Sequence, residues 1–223
     1  MTLTTTPVRD DPDRFGTPAF YASLGRAFVV MCTVVAGLFG IELIDYLTSH
    51  RMDQHGGIVT RQLTGLDGIV FAPFLHANWA HIYSNSVPLL VTGTFVLASG
   101  ARRFFQVTAV VALLSGLAVW VFGPAHAVTI GASGVIFGYL GFLVMRGLVE
   151  RTWWTVAVAV LVGLLFGIAL SGVVPGDPHI SWQDHLGGLV GGLVAAIVFR
   201  RRRSRAPDPA VSLPPTISIP SLD

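Results

Sequence analysis

Residues 183–203 read QDHLGGLVGGLVAAIVFRRRR, and the reading of this stretch decides the fold. It opens on an acid and an imidazole, Asp184 and His185, runs apolar and glycine-rich to Phe199, and closes on Arg200–Arg203. A helix on the surface of a soluble protein keeps one polar face; between Leu186 and Phe199 there is none. An apolar run closed by a block of arginines reads as a membrane helix with a stop-transfer flank. It is short against the ~20 residues that cross ~30 Å of hydrocarbon, so a buried core helix is the competing reading.

Working outward, further apolar segments run over Ala27–Leu47, Ile82–Gly100, Phe104–Phe122, Thr129–Met145 and Trp153–Val174, with Gln183–Phe199 as the sixth. The fourth is as short and glycine-rich as the sixth. The first run starts too late and is too long for a signal peptide. Composition agrees with a chain in lipid. Of 223 residues 52% are hydrophobic and 12% charged, about half the charge of a soluble domain. One cysteine, Cys32, lies inside an apolar run, which excludes a disulfide scaffold. The expected fold is therefore all-α: a polytopic membrane protein of six transmembrane helices over residues 27–200, with tails at 1–26 and 201–223. The C-terminal tail, with Pro207, Pro209, Pro214, Pro215 and Pro220, reads as disordered.

Charge sets the orientation. All 14 basic residues are arginines. With six spans, only Arg51 and Arg61 fall on the side away from the tails, a strong positive-inside bias that puts both termini in the cytoplasm. Trp153 and Trp154 fit an inner aromatic belt, and Trp79 and Trp182 an outer one. A formal net charge of +2 gives a nucleic-acid partner nothing to bind to. The lack of lysine beside abundant Ala, Gly, Val and Arg hints at a GC-rich genome, and a bacterial plasma membrane is the expected address.

All seven histidines lie on the outer side. His50, His55, His126 and His179 read as ordinary loop residues. His81 and His185 differ, because each opens an apolar helix. At 1.5 Å per residue, Ser133 stands ~20 Å above Arg146, His185 ~22 Å above Arg200 and Asn85 ~25 Å above Arg102. A serine, a histidine and an amide thus reach a similar depth on three helices. Small residues let membrane helices touch, and Gly134 and Gly138 face this way in the fourth span, Gly188 and Gly192 in the sixth. His185, Gly188 and Gly192 share a helix face, so if that stripe meets the fourth span, His185 approaches Ser133. Each feature has a plainer explanation: a serine at a helix start commonly bonds its own backbone, and a glycine pair is often packing alone. No packing argument asks for His81 and Asn85 together on one face.

Together these residues resemble the rhomboid family of intramembrane serine proteases. The resemblance rests on His81-x-x-x-Asn85 opening the second span, Gly131-Ala132-Ser133-Gly134 opening the fourth, and His185 followed by Gly188-x-x-x-Gly192 in the sixth. It covers about residues 27–200 and implies the bacterial six-span form. It implies a catalytic dyad of Ser133 and His185, oxyanion stabilisation by His81 and Asn85, and supporting roles for Gly131, Gly134, Phe137 and Gly188. The implied partners are transmembrane protein substrates in a lipid bilayer. No cofactor and no metal is expected, since His76 and His81 at i, i+5 share no helix face and nothing nearby completes a ligand set. The chain departs from the family pattern in two places. The loop Thr48–Ala80 lacks the Trp-Arg pair of many bacterial members, and Phe137 stands where many carry tyrosine. Asp184 is not read as a triad acid, because neighbouring helix positions point ~100° apart. A non-proteolytic relative that binds membrane clients, and a small transporter, are the alternative readings. The apolar inner halves Leu140–Met145 and Leu193–Phe199 argue against a path for a solute.

Overall fold

The computed structural model describes residues 15–177 and 180–200. The expectations placed on residues 1–14, on His179 and on the 201–223 tail lie outside them. In chain order the elements are α1 (Pro18–Leu47), α2 (Arg51–Gly56), β1 (Ile58–Val59), α3 (Gly68–Phe71), α4 (Trp79–Ala98), α5 (Ala101–Phe122), β2 (Val128–Thr129), α6 (Ser133–Glu150), α7 (Trp153–Phe166) and α8 (Trp182–Val198). A 3₁₀ stretch over Gly167–Val173 continues α7. The fold is a helical polytopic membrane bundle, and its single β pair joins Ile58 to Thr129 and Val59 to Val128, antiparallel. That pair fastens the long loop after α1 to the segment leading into Ser133.

α6 is the central helix. Its residues from Gly134 to Leu143 are buried without a break, against α8, α5, α4 and α7, while α1 packs on α4. α7 is its opposite: apolar all round, yet with only Thr155, Val158 and Val162 buried. Leu164 and Ile168 are 81% and 89% exposed. Water would penalise such a surface and lipid would not, so this face is a membrane face.

Four helices are long and apolar enough to cross a bilayer: α1, α5, α6, and α7 with its 3₁₀ extension. α4 and α8, also expected as spans, fall short among the described residues. α8 has 17 residues, and α4 carries His81, Tyr83, Ser84, Asn85 and Ser86 in its first turns. Both carry part of the candidate site: α4 misses the measure because its polar first turns lower its hydropathy, and α8 because it is short.

α1 begins at Pro18, not at Ala27, so residues 18–26 are helix rather than tail. The Thr17 side chain accepts from the Phe20 N–H at 3.1 Å and Pro18 takes the first turn, a strong start signal ahead of the apolar run. Phe15 and Phe20 pack against Trp154 with ring centroids 5.0 and 4.8 Å away, tying the start of α1 to the start of α7.

The end of the bundle away from the α1–α4 loop also holds a buried ion pair. Arg103 of α5 lies 3.0 Å from Glu150 of α6, Arg146 donates to the same carboxylate at 2.8 Å, and Arg103 donates to the Phe199 carbonyl beyond α8 at 2.7 Å. Read from sequence as a topogenic charge, Arg103 in fact ties three helices together. Glu150→Ala is expected to cost about 3 kcal/mol, because it strands a buried guanidinium; unfolding in mixed micelles measures it.

Candidate active site

The segment after β2 must turn sharply into α6, and Gly131 makes the turn at φ +123°, a conformation that L side chains avoid. A Cβ on Gly131 would stand 2.7 Å from His81 Cε1, so only glycine lets this segment lie against the imidazole. The Gly131 N–H donates to the Ala72 carbonyl at 2.9 Å, and Ser133 follows as the first residue of α6. There the backbone N–H groups of the opening turn have no acceptor within the helix.

α8 is brought to α6 by its glycines. A Cβ on Gly188 would collide with the Gly134 carbonyl, and one on Gly192 with the Gly138 carbonyl. The alternate glycines serve the other neighbour: Gly187 abuts Leu114 and Ala118 of α5, and Gly191 abuts Val111. Both faces of α8 are therefore in near-backbone contact, which fixes the height of His185 relative to Ser133.

The imidazole of His185 is held twice. Phe137 stacks on it, ring centroids 4.0 Å apart and 9° from parallel. Its Nδ1 lies 3.0 Å from the carbonyl oxygen of Gly172 in the 3₁₀ stretch. A carbonyl only accepts, so Nδ1 carries the hydrogen and Nε2 of the neutral ring keeps its lone pair.

Asn78 caps α4, its side chain accepting from the His81 N–H at 2.9 Å. One turn further, Asn85 is buried with no partner for its Nδ2. Behind His81 stands His76, 1% exposed, their rings 5.1 Å apart. Burial, and then the His81 ring beside it, hold His76 down at about 4, so it is neutral at pH 7. Ser133, His185, His81, Asn85 and Asp184 all line one cavity of about 680 Å³ at the loop end of the bundle. Below it the buried run Leu140–Leu143 closes the way inward.

The sequence reading missed two features. Asp184, 6% exposed, accepts from Ser115 Oγ of α5 through Oδ1 and from Ser133 Oγ through Oδ2, the latter at 3.3 Å. It points away from the His185 ring, as the helix angle requires, but towards the serine. A polar Ser115 within the apolar second half of α5 was the available signal. Gly172 had no such signal, because nothing in an apolar run marks the switch to 3₁₀ geometry. His50, expected as a plain loop histidine, instead pairs with Asp45 and Asp53.

The family model of the rhomboid domain matches residues 60–202. The chain belongs to the rhomboid family. An uncharacterized protein of Mycobacterium tuberculosis is 41% identical over 184 residues, covering 78% of this chain and 76% of that one. The rhomboid protease GluP of Bacillus subtilis is 33% identical over 129 residues, covering 55% of this chain and 24% of its own. The rhomboid-like protease 5 of Toxoplasma gondii is 31% identical over 134 residues, covering 56% and 15%. Members of the rhomboid family are intramembrane serine proteases, and this rhomboid chain is a membrane protein with bacterial relatives.

Proposed function

We propose that this chain is an intramembrane serine endopeptidase of the bacterial plasma membrane. It cuts peptide bonds in or near the transmembrane segments of other membrane proteins, with Ser133 as nucleophile and His185 as base. It spans the membrane six times with both termini in the cytoplasm, as the arginine distribution requires. The observation that carries this reading is the state of His185: stacked on Phe137, donating to Gly172, and presenting Nε2 to the cavity that Ser133 lines.

In the free protein the Ser133 hydroxyl donates to Asp184. For reaction it rotates to His185 Nε2, which takes its proton as Oγ attacks the scissile carbonyl carbon. The tetrahedral oxyanion is met by the Ser133 backbone N–H, His81 and the Asn85 amide. The C–N bond then breaks, and His185 returns the proton to the leaving amine. Water, deprotonated by His185, attacks the acyl ester and frees Ser133. No acid is needed behind the histidine, because the Gly172 carbonyl and Phe137 already fix its tautomer and plane.

Asn85 is prepared for this task. A buried amide donor without a partner costs about 1–3 kcal/mol, and an oxyanion formed only in the reaction relieves that cost. Asn85→Ala should slow cleavage by about 10²–10³-fold while the protein stays folded; turnover in proteoliposomes beside an unfolding curve measures both. Substrates should be cut near the outer end of a span where small or helix-breaking residues expose the backbone.

The test of the reading is labelling of detergent-solubilised protein with a fluorescent fluorophosphonate. Wild type should label, and Ser133→Ala and His185→Ala should not. A folded wild type that stays unlabelled, beside a rhomboid protease that labels, would sink the proposal in favour of client binding.

A further inference from the structure

The loop end of α1 gathers charge that the catalytic reading leaves unused. Glu42 and Asp45, one turn apart in an apolar helix, are 2% and 1% exposed. Ser49 and His50, both left-handed at φ 60° and 56°, then reverse the chain so that α2 lays His50 and Asp53 over Asp45. His50 Nδ1 stands 3.2 Å from Asp45 Oδ2 and 3.5 Å from Asp53 Oδ2. The Met52 N–H donates to Asp45 Oδ1 at 2.7 Å, which orients that carboxylate and leaves Oδ2 to face the other two groups. One donor atom from each of the three residues lies within 4.8 Å of the others.

Both oxygens of Glu42 and Oδ1 of Asp53 are buried without a hydrogen-bond partner, and among the described residues no arginine pairs with any of the three acids. Glu42 lies close enough to Asp45, His50 and Asp53 to interact electrostatically with each. Two buried carboxylates and a third partly buried one, answered by one imidazole, are short of positive charge. Bonds of ~2.0–2.1 Å in tetrahedral geometry put neighbouring donors ~3.3–3.4 Å apart, which matches the two separations around His50. An imidazole among carboxylates favours zinc over magnesium or calcium, which prefer oxygen alone.

We propose that Asp45, His50 and Asp53 form a zinc-class divalent cation site, with Glu42 as the acceptor for the solvent molecule in its fourth position. Ligation through Nδ1 leaves the single ring hydrogen of neutral His50 on Nε2 and clamps α2 to the end of α1. Spacing in the sequence gives no hint of it, because the three ligands meet only through the left-handed turn.

The test uses the full chain without a polyhistidine tag, stripped with EDTA in detergent, equilibrated with Zn²⁺, desalted and assayed for metal by mass spectrometry. About one zinc per chain should be retained, undisplaced by excess Mg²⁺ or Ca²⁺. Asp53→Asn and His50→Ala, at partly exposed positions, should each lower the affinity at least ~10-fold while eluting as the wild type does. Wild type that retains no zinc, variants that retain it as wild type does, or displacement by Ca²⁺ would each overturn the assignment. The assay reads no proteolysis, so its outcome is independent of the catalytic reading.

Discussion

Ser133→Ala should reduce cleavage of a reconstituted transmembrane substrate by ~10⁴-fold or more, and His185→Ala should do the same. The other serines on the cavity wall are engaged elsewhere: Ser84 donates to the His81 carbonyl at 2.8 Å, and Ser181 caps α8. The other imidazole on that wall, His81, lies across the Gly131 segment from α8 and faces the position proposed for the oxyanion. Asp184 touches Ser133 but is buried between α5 and α6. Because nucleophile and base act in one step, the double variant should be no slower than either single one. Cleavage in proteoliposomes, followed by gel shift over a long time course, gives all three rates. A double variant slower than the singles by the product of their effects would mean that the two residues act separately, and the dyad would fall. Both side chains are small losses from the periphery of the core, so the unfolding midpoints should stay close to wild type.

Gly188→Ala should carry a structural cost of about 3 kcal/mol, with loss of activity following from the loss of position. The added methyl meets the backbone carbonyl of Gly134, which no rotamer change can move aside. α8 must then retreat from α6, and His185, one turn earlier on the same face, retreats with it. Gly192→Ala, against Gly138, should behave alike. Gly163 of α7 supplies the contrast: nothing lies within 4 Å of its added Cβ, so Gly163→Ala should be neutral or slightly stabilising. Unfolding in mixed micelles together with fluorophosphonate labelling of the three variants separates packing from chemistry. Equal costs at Gly188 and Gly163 would refute the close approach of α8 to α6.

Much of this arrangement could be read from residue order. Apolar runs located the long helices to within a few residues at most ends, since no other structure in lipid satisfies the backbone. The glycine spacings offered the fourth span as a neighbour of the sixth, and depth counting put Ser133, His185 and Asn85 at similar depth; all three line one cavity. What escaped were contacts that depend on geometry between elements. Asp184 was judged only against its neighbour His185, whereas its partners Ser115 and Ser133 sit on other helices. Gly172 became an imidazole acceptor because α7 tightens to 3₁₀ at Gly167. The early start of α1 escaped because Ser23, Gly25 and Arg26 interrupt the apolar run ahead of Ala27, and the cap at Thr17 lies beyond them.

The near-backbone contact of α8 with α5 and α6 also bears on biosynthesis. Ribosomes deliver the chain from its N-terminus, so α6 reaches the bilayer with its glycine groove unfilled and Ser133 without Asp184, the acceptor of its hydroxyl hydrogen. Every membrane-inserted nascent chain that stops short of α8 lacks the proposed base, and the hydroxyl of Ser133 has neither of its two partners. The last helix to emerge completes both the packing and the chemistry. On the proposed mechanism, a chain assembled in this order has no complete dyad until α8 is in place, when the unfolded spans of other proteins are no longer beside it.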